Sequence, residues 1–180
     1  YISAALKKSG EMLGIGGYAE DRALYRSALF TAKGEARTVH LGVDLWAPEG
    51  TPVFAPLDGV VHSFQINDHV LDYGPTIIIE HAINGCRFLT LYGHLSASSL
   101  ARLTAGQRLP AGTQCASIGG THENGRWPPH LHFQIILDLL GQRGDFPGVA
   151  RPAESKYYLT LCPDPNLILP VPALDGAPPS

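Results

Sequence analysis

Between Thr38 and Asp138 the apolar residues come in short runs, each closed by a turn signal. The runs are VHLGVDLWA (39–47), PVFA (52–55), GVVHSFQI (59–66), TIIIEH (76–81), CRFLTLY (86–92) and HLHFQIIL (130–137). Short apolar segments between Gly- and Pro-containing turns read as strands. Pro48-Glu49-Gly50, Asp58-Gly59 and Asn84-Gly85 are among the turns. Asn-Gly between two apolar runs is a strong hairpin signal, so TIIIEH and CRFLTLY are expected to pair antiparallel. One short helix fits at 96–103, where Ser96 can cap and Leu100 and Leu103 share a face. The expected fold class is mainly β, an antiparallel sheet over about residues 37–138 with short flanking helices.

The flanks read differently. Residues 1–36 form an arm: an amphipathic helix over 1–13, a break at Gly14, Gly16 and Gly17, then a polar stretch. Residues 139–180 lose periodicity, and from Cys162 onward Pro163, Pro165, Pro170, Pro172, Pro178 and Pro179 predict an irregular, Pro-rich C-terminal tail.

Bulk properties exclude several function classes. A formal charge of −3 with no long basic run argues against an electrostatic grip on nucleic acid. No apolar stretch reaches the roughly 18 residues that a membrane span needs. Residues 1–13 lack the basic start and apolar core of a signal peptide. A chain opening on Tyr1 is expected to be a processed form or a piece of something longer. Three cysteines, Cys86, Cys115 and Cys162, cannot all pair within one chain. A disulfide framework is not expected, which favours a reducing compartment, although one Cys86–Cys115 bridge stays open.

The histidines carry the chemistry. Two clusters stand out, His40-Leu41-Gly42-Val43-Asp44 and His130-Leu131-His132. In a strand, alternate residues share a face. Leu131, Phe133, Ile135 and Leu137 then form a core face, and His130, His132, Gln134 and Ile136 face away from it. The two imidazoles sit roughly 6.6 Å apart along the strand, within reach of one small site. His40 and Asp44 would lie about 13 Å apart on a straight strand, too far for one ion. Gly42 can bend the chain between them, placing His40 at a loop end and Asp44 inside the next strand. By parity Thr90, Tyr92 and His94 share a face, and if it is the His130 face, His94 joins the cluster. Five groups then converge, more than a metal requires. Three protein ligands leave a fourth zinc position for water, the mark of a catalytic site. Surplus histidines become candidates for proton transfer and oxyanion stabilisation.

These residues, in this order, resemble the lysostaphin/LytM family of zinc peptidases. The family pattern runs H-x-G-x-D, G-x-P-V-x-A-x-x-x-G-x-V, Y-x-H-L and H-L-H-F. The chain reads HLGVD (40–44), GTPVFAPLDGVV (50–61), YGHLS (92–96) and HLHFQ (130–134), with GPTIIIEH and LTAGQRLPAGTQCASIG linking them. The resemblance covers about residues 37–136. It implies that His40, Asp44 and His132 hold one zinc ion and that His94 and His130 are the catalytic histidines. It implies hydrolysis of a peptide bond, in family members typically in peptidoglycan cross-bridges or stem peptides. It also implies a zinc peptidase-like catalytic domain over 37–138, with a long groove holding the metal on its floor. The segment before the last motif departs from the family's T-G-x-S-x-G-P. It is GGTHENGRWPP (119–129), expected to border the groove, with Tyr92, His122 and Trp127 as candidate substrate contacts. A Tyr that assists catalysis in some members has no clear match; Tyr18 and Tyr25 are unaligned.

His62, His69 and His81 are expected to be structural, as are the cysteines. Arg22, Arg26 and Arg37 are expected to be solvated or paired, with Arg37, three residues before His40, within reach of the groove. A competing reading is a non-catalytic, zinc-loaded module that binds cell wall or regulates a partner enzyme, as part of a multidomain fusion. A biotinyl or lipoyl carrier, which PVFAPLDGVV and LTAGQRLPAG also resemble, fails because no lysine lies between Lys33 and Glu154. The compartment stays open: the family implies an extracytoplasmic one, the missing signal segment and odd cysteine count the reverse. Oligomeric state is not readable.

Overall fold

The structure, a computed structural model, describes residues 13–22 and 36–174. The helix expected over 1–13 and most of the polar arm, Tyr25 and Arg26 included, lie outside the described residues. Eleven strands are described: β1 Gly14–Gly16, β2 Val39–His40, β3 Val43–Trp46, β4 Pro52–Phe54, β5 Gly59–Asn67, β6 Gly74–Ile83, β7 Cys86–Gly93, β8 Arg108–Leu109, β9 Gln114–Ser117, β10 His130–Ile136 and β11 Val149–Ala150. Two short α-helices accompany them, α1 Ala97–Leu100 and α2 Ser155–Leu161. The protein is thus mainly β, as the run pattern predicts.

Seven strands build one antiparallel sheet in the order β1-β3-β10-β7-β6-β5-β8; β11-β2 and β4-β9 form small pairs. The expected hairpin is β6–β7, in register from Ile77↔Tyr92 to Ile83↔Cys86. Its turn residues Asn84 and Gly85 both have positive φ, 50° and 82°, the backbone that matches the twist of a two-residue hairpin. Helix α1 is shorter than the 96–103 expected. The hydroxyl of Ser96 does not cap it but meets Ser98, Ser99 and Ser117.

Strand β10 is central, with β3 on one side and β7 on the other. Leu131, Phe133 and Ile135 enter the larger core with Val43, Ile77, Ile79 and Tyr92. The opposite face was expected to point away from any core, yet every residue of β10 is buried. A second core covers it, in which Leu41, Ile78, Leu91 and Ile136 meet Leu139, Phe146, Ala150 and Cys162. The segment after residue 138 therefore supplies a strand, a helix and one wall of the interior. Leu139, Phe146 and Cys162 fall outside its strand and helix, so no period betrays them. Leu137, assigned to the core face by parity, is 49% exposed, because β10 ends at Ile136. The Gly-rich break of the arm is likewise a strand: β1 pairs with β3 through Gly14↔Trp46 and Gly16↔Asp44. All three cysteines are free, Cys86 exposed and the other two buried.

Candidate metal centre and groove

Strands β2 and β3, broken at Leu41-Gly42, bring His40 and Asp44 to one point, and β10 presents His132 opposite Asp44. His40 Nε2 lies 3.1 Å from His132 Nδ1 and 3.3 Å from Asp44 Oδ1, and His132 Nδ1 lies 3.1 Å from the same oxygen. Ligands at about 2.0–2.1 Å from a tetrahedral zinc are about 3.3–3.4 Å from one another. The three atoms therefore have close to the spacing of three corners of such a site. Gly42 contributes by closeness more than by flexibility. A Cβ there would come 2.6 Å from the Phe133 carbonyl and 2.8 Å from His132 Nε2.

Each candidate ligand is oriented by a second contact. His40 donates Nδ1–H to the Gly17 carbonyl at 2.9 Å, which leaves Nε2 as a lone pair. His132 donates Nε2–H to Gln134 Oε1 at 2.9 Å, which leaves Nδ1 free. The Gln134 amide is fixed in turn, its Nε2 donating to the Pro147 carbonyl and to Cys162 Sγ, each at 3.2 Å. Asp44 Oδ2 accepts from Arg22 Nη1 at 2.5 Å. Burial lowers the pKa of His40, against the pull of Asp44. Burial would raise that of Asp44, but His40 and His132 overcome it and hold the carboxyl well below its ordinary value. The site is thus two imidazoles and a carboxylate, the donor set that suits zinc.

His94 and His130 stand beside this triad, their ring centroids 4.1 Å apart. His130 donates Nδ1–H to the Pro128 carbonyl at 2.7 Å and stacks on Trp46 at 4.2 Å. His94 donates Nδ1–H to the Asn124 carbonyl at 3.0 Å. Both rings keep Nε2 as an acceptor, and His130 Nε2 is 3.9 Å from Asp44 Oδ1. Burial pushes His130 down to about 4. Burial, with His130 and His132 adding to it, pushes His94 well below its usual value. Both are therefore unprotonated at neutral pH.

His94 arrives by a route parity does not foresee. Tyr92 pairs with Phe133 and Gly93 with His132, so Tyr92 belongs to the core face and is 1% exposed. The strand ends at Gly93, and His94 takes φ of 61°. This left-handed turn carries its ring to the site face, while Tyr92 lies outside the groove. His122 is exposed, with Nε2 3.9 Å from Glu123 Oε1, and does not line the groove. Trp127 does line it, 6.2 Å from His94 and 6.3 Å from His130 between ring centroids. His69 also lines it, whereas His81 sits apart between the Asp58 carbonyl and Thr90 Oγ1.

The groove above the ligands has a volume of about 680 Å³, and its walls include Arg37, Leu71, Tyr73, Trp127, Phe146 and Gly148. Sequence reasoning missed Tyr73, whose hydroxyl reaches 3.4 Å from His132 Nε2. Its ring packs on Gly93, and a Cβ on Gly148 would overlap its hydroxyl. It also missed Arg22 and the role of Gln134. Tyr73 and Arg22 stand in no recognisable spacing, and although Gln134 shares the His132 face in sequence, its hold on Pro147 and Cys162 is created only by the tertiary arrangement.

Residues 38–143 match the profile of peptidase family M23. The DD-carboxypeptidase/endopeptidase Mpg of Neisseria meningitidis serogroup B is 38% identical over 100 residues, 56% of this chain and 20% of that protein. The peptidoglycan DD-endopeptidase ShyC of Vibrio cholerae is 33% identical over 100 residues, 55% of this chain and 20% of that protein. The matched part is thus about a fifth of these relatives' length. Among solved structures, the catalytic domain of the prophage-encoded M23 protein EnpA from Enterococcus faecalis has a TM-score of 0.52 at 22% identity. The match covers 77% of this chain and 86% of that one, and it is a likeness of fold.

Proposed function

Because the chain belongs to peptidase family M23, we propose that it is a zinc metalloendopeptidase that hydrolyses peptide bonds in peptidoglycan cross-bridges or stem peptides. The observation that carries this reading is the triad of lone pairs, His40 Nε2, Asp44 Oδ1 and His132 Nδ1, set 3.1–3.3 Å apart. Zinc held there by His40, Asp44 and His132 would supply Lewis acidity, to polarise a carbonyl and make water nucleophilic near neutral pH. The two further imidazoles handle the protons. With Nδ1–H committed to the Asn124 and Pro128 carbonyls, His94 and His130 each turn a free Nε2 toward the groove. They accept the proton of the attacking water, bear on the oxyanion once protonated, and return the proton to the leaving amine. Stacking on Trp46 keeps the His130 ring from swinging away. The groove binds an extended peptide across this floor, with Trp127 beside both histidines.

The test begins with metal content. The wild type is expected to carry about one zinc per chain, and His132→Ala to lose it. His94→Ala and His130→Ala are expected to keep zinc while hydrolysis of peptidoglycan peptides falls about 10²–10⁴-fold. Undiminished hydrolysis in both variants would sink the mechanism. A folded, zinc-loaded wild type inert on every such peptide would favour a binding or regulatory module.

A further inference from the structure

We propose that the segment 13–22 is a working part of the metal centre, with Arg22 a positioning residue that confines Asp44 to one-oxygen ligation and Gly17 setting the ring of His40. The inference rests on the zinc reading above. Asp44 is 2% exposed and has two oxygens to satisfy. Oδ1 faces His40 and His132, and Oδ2 is taken by Arg22 Nη1 at 2.5 Å. A guanidinium is charged at any working pH and offers donors in a rigid fork. It therefore keeps Oδ2 occupied, so Asp44 offers the metal one oxygen and a coordination position stays open for substrate or water.

Arg22 is itself braced. Its Nε donates to Glu20 Oε2 at 3.1 Å and its Nη2 to the Gly17 carbonyl at 3.4 Å. That same carbonyl accepts from His40 Nδ1 at 2.9 Å. One stretch of backbone thus orients two of the three ligands. It is fastened to them by main-chain bonds: Ala19 N to the His40 carbonyl, His40 N to the Glu20 carbonyl and Arg22 N to the Thr38 carbonyl. Gly16 gives the guanidinium its space, for a Cβ there would lie 2.6 Å from Arg22 Nη2. All of these arm residues precede residue 38, where the family match begins. The contact is therefore a feature of this chain outside the matched stretch.

The experiment measures zinc affinity by chelator competition on the full chain, for the wild type, Arg22→Met, Arg22→Lys and Gly16→Ala. Circular dichroism verifies folding, and the visible absorption of the cobalt(II)-substituted forms reports coordination. Loss of an orienting contact typically weakens metal affinity about 10–100-fold. That loss is expected in Arg22→Met, with weaker cobalt absorption as Asp44 gains a second contact to the metal, and Arg22→Lys recovers part of it. Gly16→Ala, which displaces the guanidinium without removing its charge, is expected to lose affinity likewise and serves if Arg22→Met does not fold. Wild-type affinity and an unaltered cobalt spectrum in the folded variants overturn the inference and leave the zinc reading standing. A wild type that binds no zinc overturns both.

Discussion

At the scale of single residues, the candidate site consists of five clustered side chains and the contacts that hold them in place. His40, Asp44, His94, His130 and His132 stand out because they recur in short spacings. Gly42 was legible as a requirement, though for an incomplete reason. It bends the chain, but it is also packed under His132 and the Phe133 carbonyl. Gly42→Ala is therefore expected to cost about 1–3 kcal/mol from overpacking and to weaken zinc binding, as denaturant unfolding and zinc titration would show. His81 offers a cleaner electrostatic test because it lies off the site. Burial lowers its pKa, against the pull of the Asp58 carbonyl. As pH falls below the free imidazole value of about 6.5, the unfolded chain takes up a proton that folded His81 resists. Stability from this residue is therefore fully present above that pH and is lost as pH falls toward the lowered folded value. Denaturant unfolding between pH 7 and pH 5 is expected to show a shallower decline in His81→Gln than in the wild type.

At the scale of elements, local signals succeeded where the structure is local. The β6–β7 hairpin closes over Asn84-Gly85 with both residues at positive φ, and the dipeptide states as much. Gly85→Val puts a β-branched residue into that conformation and is expected to cost about 1–3 kcal/mol. Thermal unfolding would register it, while hydrolysis per folded molecule stays unchanged, since the turn lies at the opposite end of β7 from His94. Elements made by pairing alone were not legible. Gly14-Ile15-Gly16 has no strand pattern, and it is a strand because β3 offers it an edge. The second face of β10 looked solvent-directed because its cover, from Leu139 to Cys162, is written without period. The parity rule failed for His94 because one left-handed residue ends the strand.

At the scale of the molecule, the candidate ligands join regions far apart in sequence, His132 meeting His40 and Asp44 across 92 and 88 residues. A metal bound there holds β2 and β3 to β10, so zinc is expected to stabilise the whole fold. At free zinc 100 times Kd the gain is about 2.7 kcal/mol, and a chelator should lower the Tm accordingly in calorimetry. One contact reaches further still. The Tyr18 hydroxyl donates to the Cys162 carbonyl at 2.7 Å, across 144 residues. Loop-closure entropy grows with the separation of the two ends, and the β6–β7 turn joins neighbours in sequence. Assembly is therefore expected to follow an order in which the hairpin nucleates, the sheet grows around it, and the two outer segments join last. Those segments carry Gly17 and Arg22 on one side and Pro147 and Cys162 on the other, so the candidate metal pocket is expected to be complete only at the final step. Pulsed hydrogen exchange during refolding should find Ile77 to Leu91 protected before the amides of Ala19 and Arg22, making metal capture a mark of completed folding rather than its trigger.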